Sequence, residues 1–205
     1  ALLDAVYDKI QYDLNGQSVF VRSSTNAEDL SDFNGAGLYY TAPNVRGKEA
    51  LATAMKAVWA SLWNFRAVEE RRLRRIDERA VACGVLIVAS LPATAAGVLV
   101  TRHLYDPPND HAYTINAQRG LGLRVVDGKT TPEQVVYNLR YPSTKLLTRQ
   151  SDATMLVLDE AGGVKEEPVP TRDVVLTNVR ARALSEQVRR IRPLFPYDLD
   201  VEWVL

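Results

Sequence analysis

Residues 19–45 read VFVRSSTNAEDLSDFNGAGLYYTAPNV, and this stretch decides how the rest of the chain is interpreted. Its beginning predicts a short strand over residues 18–22, because two valines recur there at the two-residue period of a strand. Residues 23–47 are polar and contain several glycines, so they predict an ordered surface loop with a possible strand at 38–41. Arg22 would then lie where the chain leaves the sheet.

The end of this predicted strand has the residue types of an oxyanion site. Arg22 carries a permanent charge and is followed at once by the hydroxyl side chains of Ser23 and Ser24. Successive backbone N–H groups at a strand end form a nest that binds anions, and the arginine adds a two-pronged donor. Gly35-Ala36-Gly37 has no bulky side chain and would let a phosphate approach the backbone. An ordinary surface loop is the alternative interpretation.

Composition limits the class of protein. The 205 residues are 46% apolar and 24% charged, as in an ordinary globular domain. Basic and acidic residues number 25 each, which argues against a nucleic-acid or membrane-surface partner. The sequence has no apolar run of about 18 residues that would span a membrane. A single cysteine excludes an internal disulfide and fits a reducing compartment, so we expect a cytoplasmic protein.

Outward from residues 19–45, hydrophobic periodicity predicts helices and strands on both sides. One helix is predicted over residues 1–16 and a long one over about 48–76. The apolar run 80–91 is typical of a central strand. Further predicted elements are strands at 97–101, 111–117, 135–139, 154–158 and from 200, a hairpin turn at 161–163 and a helix at 178–192. This order predicts a mixed α/β (α+β) domain with a mostly antiparallel sheet.

The last predicted strand carries two carboxylates. In the sequence Asp200-Val201-Glu202-Trp203, the period of a strand places both acids on one face and the two apolar side chains on the other. Magnesium prefers hard oxygen ligands, often one or two carboxylates together with phosphate oxygens. A solvated strand face is the alternative interpretation of this pair.

Five motifs in the right order resemble the nucleotide domain of the phosphoenolpyruvate synthase and pyruvate phosphate dikinase family. They are VRSSTNAEDL at 21–30, VWASLWNFRAVEERR at 58–72, GVLVTRHLYDP at 97–107, INAQRGLGLRVVDGKTTPE at 115–133 and DVEW at 200–203. The sequence of the helix motif is most similar to that of the α-glucan water dikinase branch of that family. Together the motifs extend over most of the chain, so the resemblance is specific.

The resemblance implies an ATP-grasp-like fold in an incomplete domain that is truncated at both ends. Residues 1–84 would form part of the N-terminal lobe, with the phosphate loop and the long helix. Residues 85–205 would form the C-terminal lobe, on the nucleotide and magnesium side, ending before its last strand. The implied cofactors are ATP and Mg²⁺.

The resemblance also implies roles on the phosphate side. Arg22 would contact the ATP phosphates and stabilise the moving phosphoryl group, with Ser23 and Ser24 beside it. Gly35-Ala36-Gly37 would form the flexible loop that closes over the phosphates. Thr41 would add a phosphate contact from the strand after that loop.

Further roles are implied for the base and the metal. Backbone groups near Ile87 and Val88 would hold the adenine. Glu202 would be a carboxylate ligand to magnesium, with Asp200 nearby. Arg22 and Glu202 would therefore converge on one cleft the size of a triphosphate.

The implied activity is that of the Mg-ATP-binding part of a dikinase-type phosphotransferase. Such an enzyme passes a phosphoryl group from ATP to a histidine on another domain of the same longer chain, and then to an acceptor such as pyruvate or a glucan. The fragment alone is expected to be inactive or nearly so. The alternative is a non-catalytic nucleotide-binding or scaffold module, which two departures favour: Val88 replaces a glutamine of the family pattern and Leu123 a glutamate.

Aromatic and arginine side chains on the long predicted helix have plainer interpretations. Trp59 and Trp63 lie one turn apart and are expected to pack in the core, with a sugar-stacking platform as the less favoured alternative. Five arginines, Arg71, Arg72, Arg74, Arg75 and Arg79, interleave with acidic residues. This pattern predicts a solvated helix end with ion pairs, and RNA binding is the less favoured alternative.

Overall fold

A computed structural model of the chain describes residues 2–27, 29–30, 33–34, 37–126 and 131–205. Its α-helices are α1 (Leu2–Asp13), α2 (Lys48–Ser61), α3 (Phe65–Leu73), α4 (Leu123–Val126) and α5 (Asn178–Ile191). Its strands are β1 (Val19–Thr25), β2 (Asp29–Leu30), β3 (Phe33–Asn34), β4 (Ala42–Val45), β5 (Cys83–Ala89), β6 (Ala95–Val100), β7 (Ala112–Arg119), β8 (Glu133–Asn138), β9 (Ser143–Thr148), β10 (Thr154–Leu158), β11 (Val164–Pro168) and β12 (Asp200–Val204). The predicted mixed α/β class is confirmed.

The chain divides into two compact units. The N-terminal unit comprises Ala1–Leu91 together with Leu158–Lys165. The C-terminal unit comprises Pro92–Val157 together with Glu166–Leu205. The assignment of residues 1–84 and 85–205 to two ATP-grasp lobes stays a prediction.

The N-terminal unit contains a three-stranded antiparallel sheet in the order β4-β1-β5. Helix α2 packs against this sheet, and α1 packs against α2. Val19 and Val21 point from β1 into a core that they share with Leu51 and Val58 of α2. Helix α1 ends at Asp13, slightly earlier than predicted, and the turn that follows it contains the predicted Asn15-Gly16 pair, in which both residues have positive φ.

Strand β1 is longer than predicted, because it runs to Thr25 and not only to residue 22. Arg22 therefore lies in the middle of the strand. The ladder to β5 continues without a break as far as Thr25 opposite Cys83. Short hydroxyl side chains fit an extended strand when a partner strand supplies the backbone hydrogen bonds, and β5 does so here.

The predicted strand at 38–41 is wrong, since β4 begins at Ala42. The backbone N–H of Tyr40 donates to the Ser61 hydroxyl (3.0 Å), and Leu38 is buried against Ala67. These contacts with helical residues take the place of a strand ladder.

The apolar run 80–91 forms β5, which is an edge strand of the described sheet and not a central one. Its side chains alternate between half-buried and exposed positions. Leu86 is 49% exposed and Val88 is 37% exposed. A run that is apolar at every position does not distinguish a central strand from an edge strand whose outer face is apolar, which explains the error.

The single long helix predicted over 48–76 is two helices, broken at residues 62–64. The Ser61 hydroxyl donates to the Val58 carbonyl (2.6 Å), and Asn64 adopts a non-helical ψ of 140°. A hydroxyl that bonds back to the preceding turn and an asparagine at a cap position both interrupt a helix.

The side chains on these two helices also differ from expectation. Trp59 and Trp63 are 44% and 65% exposed, so the expectation of core packing is wrong. Arg71 has no exposed surface, whereas Arg72, Arg74, Arg75 and Arg79 are exposed as predicted. The solvated helix end is thus confirmed for four arginines and wrong for the fifth.

The C-terminal unit contains a five-stranded antiparallel sheet in the order β12-β6-β7-β8-β9. Helix α5 packs against β8 and β9. The core of this unit includes Leu99, Ile115, Val135, Ala181 and Trp203. The strands predicted near 97–101, 111–117 and 135–139 are confirmed with small shifts, and β9 was not predicted.

The hairpin turn predicted at 161–163 joins β10 and β11, and both of its glycines have positive φ. Its tip is held within the N-terminal unit by Asn44, which is fully buried. The Asn44 side-chain amide donates to the carbonyls of Asp159 (2.6 Å) and Gly163 (2.7 Å).

None of the helices in the described part of the chain is long and apolar enough to cross a membrane.

Candidate functional site

The two-residue period of β1 separates the predicted phosphate ligands. Arg22 and Ser24 lie on the exposed face of the strand, whereas Ser23 is half-buried on the face that carries Val21. Arg22 and Ser24 therefore share one surface, and the side chain of Ser23 points away from it.

The predicted nest of successive N–H groups at residues 22–24 is wrong. These residues are paired with Leu86, Val85 and Gly84 in the β1–β5 ladder. An extended strand alternates its N–H groups between its two edges, so they do not converge on one anion. Any anion contact at this position depends on side chains, chiefly on the guanidinium of Arg22.

The exposed face of the sheet combines a cation with apolar side chains. Arg22 lies directly opposite Leu86, and Phe20 lies directly opposite Val88. Directly opposed residues of an antiparallel pair share a face, so these four side chains form one patch. We call it the Arg22 face. An apolar surface beside a guanidinium suits a ligand with a flat ring and an anionic tail.

The other predicted residues of the N-terminal unit lie in different surroundings. Ile87 packs against the core, so its side chain is not part of the Arg22 face. Thr41 is half-buried and lies one residue before β4. Gly37 has a φ of 74° with open space where a Cβ would be, which suits a turn that only glycine adopts easily. Gly35 and Ala36 lie outside the described residues.

Strand β12 presents its two acids as the sequence predicted. Asp200 and Glu202 are exposed on one face, while Val201 and Trp203 pack in the core on the other. Glu202 lies opposite Val98 on β6. The predicted alternation is therefore confirmed, although a metal-binding role stays a prediction.

Two polar residues that the sequence analysis missed continue this row across the sheet. Asn116 lies opposite Val98, and Gln134 lies opposite Asn116. Gln134 Nε2 donates to Asn116 Oδ1 (2.7 Å), and the Tyr105 hydroxyl donates to Gln134 Oε1 (2.6 Å). In the sequence, Asn116 stands between the apolar residues Ile115 and Ala117, and this polar residue between two apolar ones was the signal for the row.

The acids fit magnesium by their chemistry but do not make a complete site. Among the described residues, no group of three or more histidine, cysteine, aspartate or glutamate side chains is arranged to hold a metal ion. Magnesium needs only one or two carboxylates when phosphate oxygens and water supply the remaining ligands. Asp200 and Glu202 fit that requirement.

The two halves of the predicted site belong to different units. Arg22 lies in the N-terminal unit and Glu202 in the C-terminal unit. The shared cleft that the sequence analysis expects stays a prediction.

Comparison with known families identifies the domain. Residues 1–205 match the model of the pyruvate phosphate dikinase AMP/ATP-binding domain. The chain belongs to this family. The resemblance inferred from five motifs is thereby confirmed, and the AMP/ATP-binding domain accounts for the whole length of the chain.

Curated relatives of this AMP/ATP-binding domain include a rifampicin phosphotransferase and phosphoenolpyruvate synthases. A rifampicin phosphotransferase from Streptomyces sviceus is 34% identical over 190 residues, which are 90% of this chain and 21% of that protein. A phosphoenolpyruvate synthase from Escherichia coli is 31% identical over 211 residues, 96% of this chain and 26% of the relative. A probable phosphoenolpyruvate synthase from Methanothermobacter thermautotrophicus is 32% identical over 191 residues, 91% of this chain and 27% of the relative. The chain thus spans about a fifth to a quarter of these relatives.

Proposed function

We propose that this chain is the Mg-ATP-binding part of a dikinase-type phosphotransferase. The enzyme would move a phosphoryl group from ATP to a histidine on a separate domain, and from there to an acceptor such as pyruvate or a glucan. The match of all 205 residues to an AMP/ATP-binding domain carries this proposal. The Arg22 face supports it, because it offers an apolar surface and a guanidinium side by side.

Phosphoryl transfer needs positioning and charge neutralisation more than covalent chemistry from the protein. In the proposed site, Leu86 and Val88 contact the base, and Arg22 donates to phosphate oxygens. Each charge-assisted hydrogen bond of this kind contributes about 1.5–3 kcal/mol. Glu202, with Asp200, would hold the magnesium ion that supplies further positive charge at the phosphates.

The acceptor would be chosen outside this chain. Relatives that share this domain bear the names of different activities, a rifampicin phosphotransferase and phosphoenolpyruvate synthases. A common nucleotide domain with different acceptors agrees with a mobile histidine that carries the phosphoryl group between sites. We therefore expect the histidine-bearing and acceptor-binding domains to be partners of this one within a longer chain.

A non-catalytic nucleotide-binding or scaffold module is the second candidate, and Val88 and Leu123 favour it. Both stand where the family pattern has a polar residue. The longer sequence would decide between the two. A downstream L-Q-x-R-P motif and a T-G-G-x-x-S-H motif favour the enzyme, and the absence of both favours the module.

Replacing Arg22 tests the proposal. In the full-length protein, Arg22→Ala is expected to lower kcat/KM for ATP at least about tenfold, because charge-assisted phosphate contacts are lost. The melting temperature should stay close to that of the wild type, since the side chain is exposed. Steady-state kinetics at varied ATP concentration measures the effect.

Arg74→Ala is a matched control, because it removes an exposed arginine of the same unit that lies directly after α3 and not on the Arg22 face. It should leave the kinetics of ATP use unchanged. Equal ATP kinetics in Arg22→Ala and wild type would contradict the assignment of Arg22.

A further inference from the structure

Arg71 is a buried cation at a junction of the N-terminal unit. Its guanidinium makes a forked contact with the Glu78 carboxylate, in which Nε donates at 3.0 Å and Nη2 at 2.8 Å to the same oxygen. Nη2 also donates to the Leu62 carbonyl (2.7 Å), at the break between α2 and α3. Nη1 donates to the Tyr39 hydroxyl (3.3 Å). Three separate segments of the chain therefore meet at one side chain.

The Tyr39 hydroxyl extends this network to a fourth segment. It donates to the carbonyl of Ala27 (3.1 Å) while it accepts from Arg71. Ala27 and Tyr39 lie on either side of residues 28–38, the segment that contains the predicted phosphate loop Gly35-Ala36-Gly37. A single oxygen atom thus joins the two ends of that segment and connects them to a buried charge.

Each end has a second attachment. On one side, the Asn26 side chain donates to the Ala80 carbonyl (2.9 Å) and accepts from the Ala82 N–H (2.9 Å). On the other side, Leu38 is buried against Ala67, which lies on the same helix as Arg71. Both ends are therefore fixed to the part of the unit that surrounds Arg71, and the Tyr39 hydroxyl makes a direct contact between them.

The charge of Arg71 is retained in this setting. Burial opposes the charged form, but hydrogen bonds to Glu78 and Tyr39 outweigh that cost and raise the pKa of the guanidinium above its usual value. The ring centroid of Trp63 lies 6.0 Å from the guanidinium carbon, at the outer limit of a cation–π contact. A buried charge satisfied by several acceptors holds those acceptors at fixed positions, because moving any one of them leaves a costly unpaired group.

We propose that Arg71 is a positioning residue for ATP, acting through the Tyr39 hydroxyl to fix both ends of the predicted phosphate loop. This inference rests on the proposed function, because it assigns a role to the segment that would contact the phosphates. A loop whose ends are fixed has fewer conformations to lose when it binds a ligand, so its contacts are preorganised. Loss of the hydrogen bonds made by the Tyr39 hydroxyl should therefore weaken ATP binding more than it lowers the reaction rate at saturating ATP.

Tyr39→Phe is the sharpest test, since it removes one oxygen and both hydrogen bonds but keeps the ring. In the full-length protein, the KM for Mg-ATP is expected to rise about threefold to tenfold, with kcat changed less than about twofold. A variant that only loses stability would instead show a lower apparent kcat at an unchanged KM. Tyr40→Phe is the matched control, because it removes the hydroxyl of the next residue, an exposed tyrosine.

Arg71→Lys tests the link between the two residues. Lysine keeps the positive charge but cannot make the two-pronged guanidinium contact with Glu78, so this substitution should also raise the KM for Mg-ATP. If Arg71 acts through Tyr39, the double variant should show little more than the larger of the two single effects. If the KM of the double variant rose by the product of the two single effects, the inference would be overturned. A wild-type KM in Tyr39→Phe would overturn it as well.

Hydrogen exchange without nucleotide separates a failure of this inference from a failure of the proposed function. Peptides that contain Ala27 or Tyr39 should exchange faster in Tyr39→Phe than in wild type and Tyr40→Phe. Unchanged exchange overturns the inference even if the wild type binds Mg-ATP. If exchange rises but calorimetry detects no Mg-ATP binding by the wild type, the proposed function fails, and the positioning role falls with it.

Discussion

Arg22 is exposed because of a two-residue period. Val19 and Val21 point into the core, so the residues between and after them point outwards. The same period on β12 buries Trp203 and exposes Glu202. In both places an apolar residue fixes the direction of its charged neighbour, and a polar surface is obtained without burying a charge.

Glu202→Ala is expected to raise the Mg²⁺ concentration needed for half-maximal activity of the full-length protein at least roughly tenfold, because a proposed carboxylate ligand is lost. Activity measured across a magnesium titration at fixed ATP gives this value. Glu186→Ala serves as the control, since it removes an exposed carboxylate of the same unit on α5. A magnesium dependence equal to that of the wild type would rule out Glu202 as a ligand.

Glu166 provides a prediction about pH. Its carboxylate accepts from the Thr154 hydroxyl (2.8 Å) and lies 2.6 Å from Arg124 Nη2, and these two contacts lower its pKa. A carboxyl group whose pKa is lowered in the folded state stabilises the fold at every pH above the pKa that the group has in the unfolded chain. That stabilisation is lost as the pH falls through the lowered pKa of the folded state.

Glu166→Gln should therefore melt at a lower temperature than the wild type at pH 7, and this difference should shrink as the pH falls through the acidic range. Thermal melting followed by circular dichroism at neutral and at successively more acidic pH makes the comparison. A difference in melting temperature that stays constant with pH would show that the ionised form of Glu166 contributes nothing.

At the scale of elements, strand β12 depends on a close approach across β6. A Cβ on Gly97 would lie 1.9 Å from the Asn116 carbonyl oxygen and 2.7 Å from Trp203 Cζ2. The first contact is with backbone, which cannot move without disturbing the ladder. The absence of a side chain at Gly97 is thus what allows Trp203, the neighbour of Glu202, to lie over the sheet.

Gly97→Ala is expected to lower the free energy of unfolding by about 3 kcal/mol or more, as overpacking against backbone does. Denaturation in urea measures the change. Gly84→Ala, whose Cβ would meet the Ser24 carbonyl at 3.3 Å, should cost less than about 1 kcal/mol. Similar stability in the two variants would show that the contact at Gly97 is not as tight as described.

Sequence alone predicted elements whose period is clear and failed where distant partners decide the structure. The alternation in Asp200–Val204 was sufficient to assign both faces of β12. The extension of β1 to Thr25 depends on hydrogen bonds from β5, which local polarity does not reveal. Arg71 can be buried because Glu78, the Leu62 carbonyl and the Tyr39 hydroxyl satisfy it, and a charged helix pattern gives no sign of such partners.

At the scale of the whole molecule, the central claim is the proposal that Arg22 and Glu202 bind the same nucleotide. Arg22 and Glu202 lie in different units, and each is exposed on its own sheet. Phosphoryl transfer with magnesium needs a cation at the phosphates and a carboxylate at the metal, so the proposal requires both residues.

A crystal structure of the full-length protein with Mg²⁺ and a non-hydrolysable ATP analogue tests this claim most directly. We predict Arg22 within about 3 Å of a phosphate oxygen and a Glu202 oxygen about 2.1 Å from the Mg²⁺ bound to the same nucleotide. A nucleotide that contacts only one of these two residues, with the other on an unrelated surface, would contradict the account.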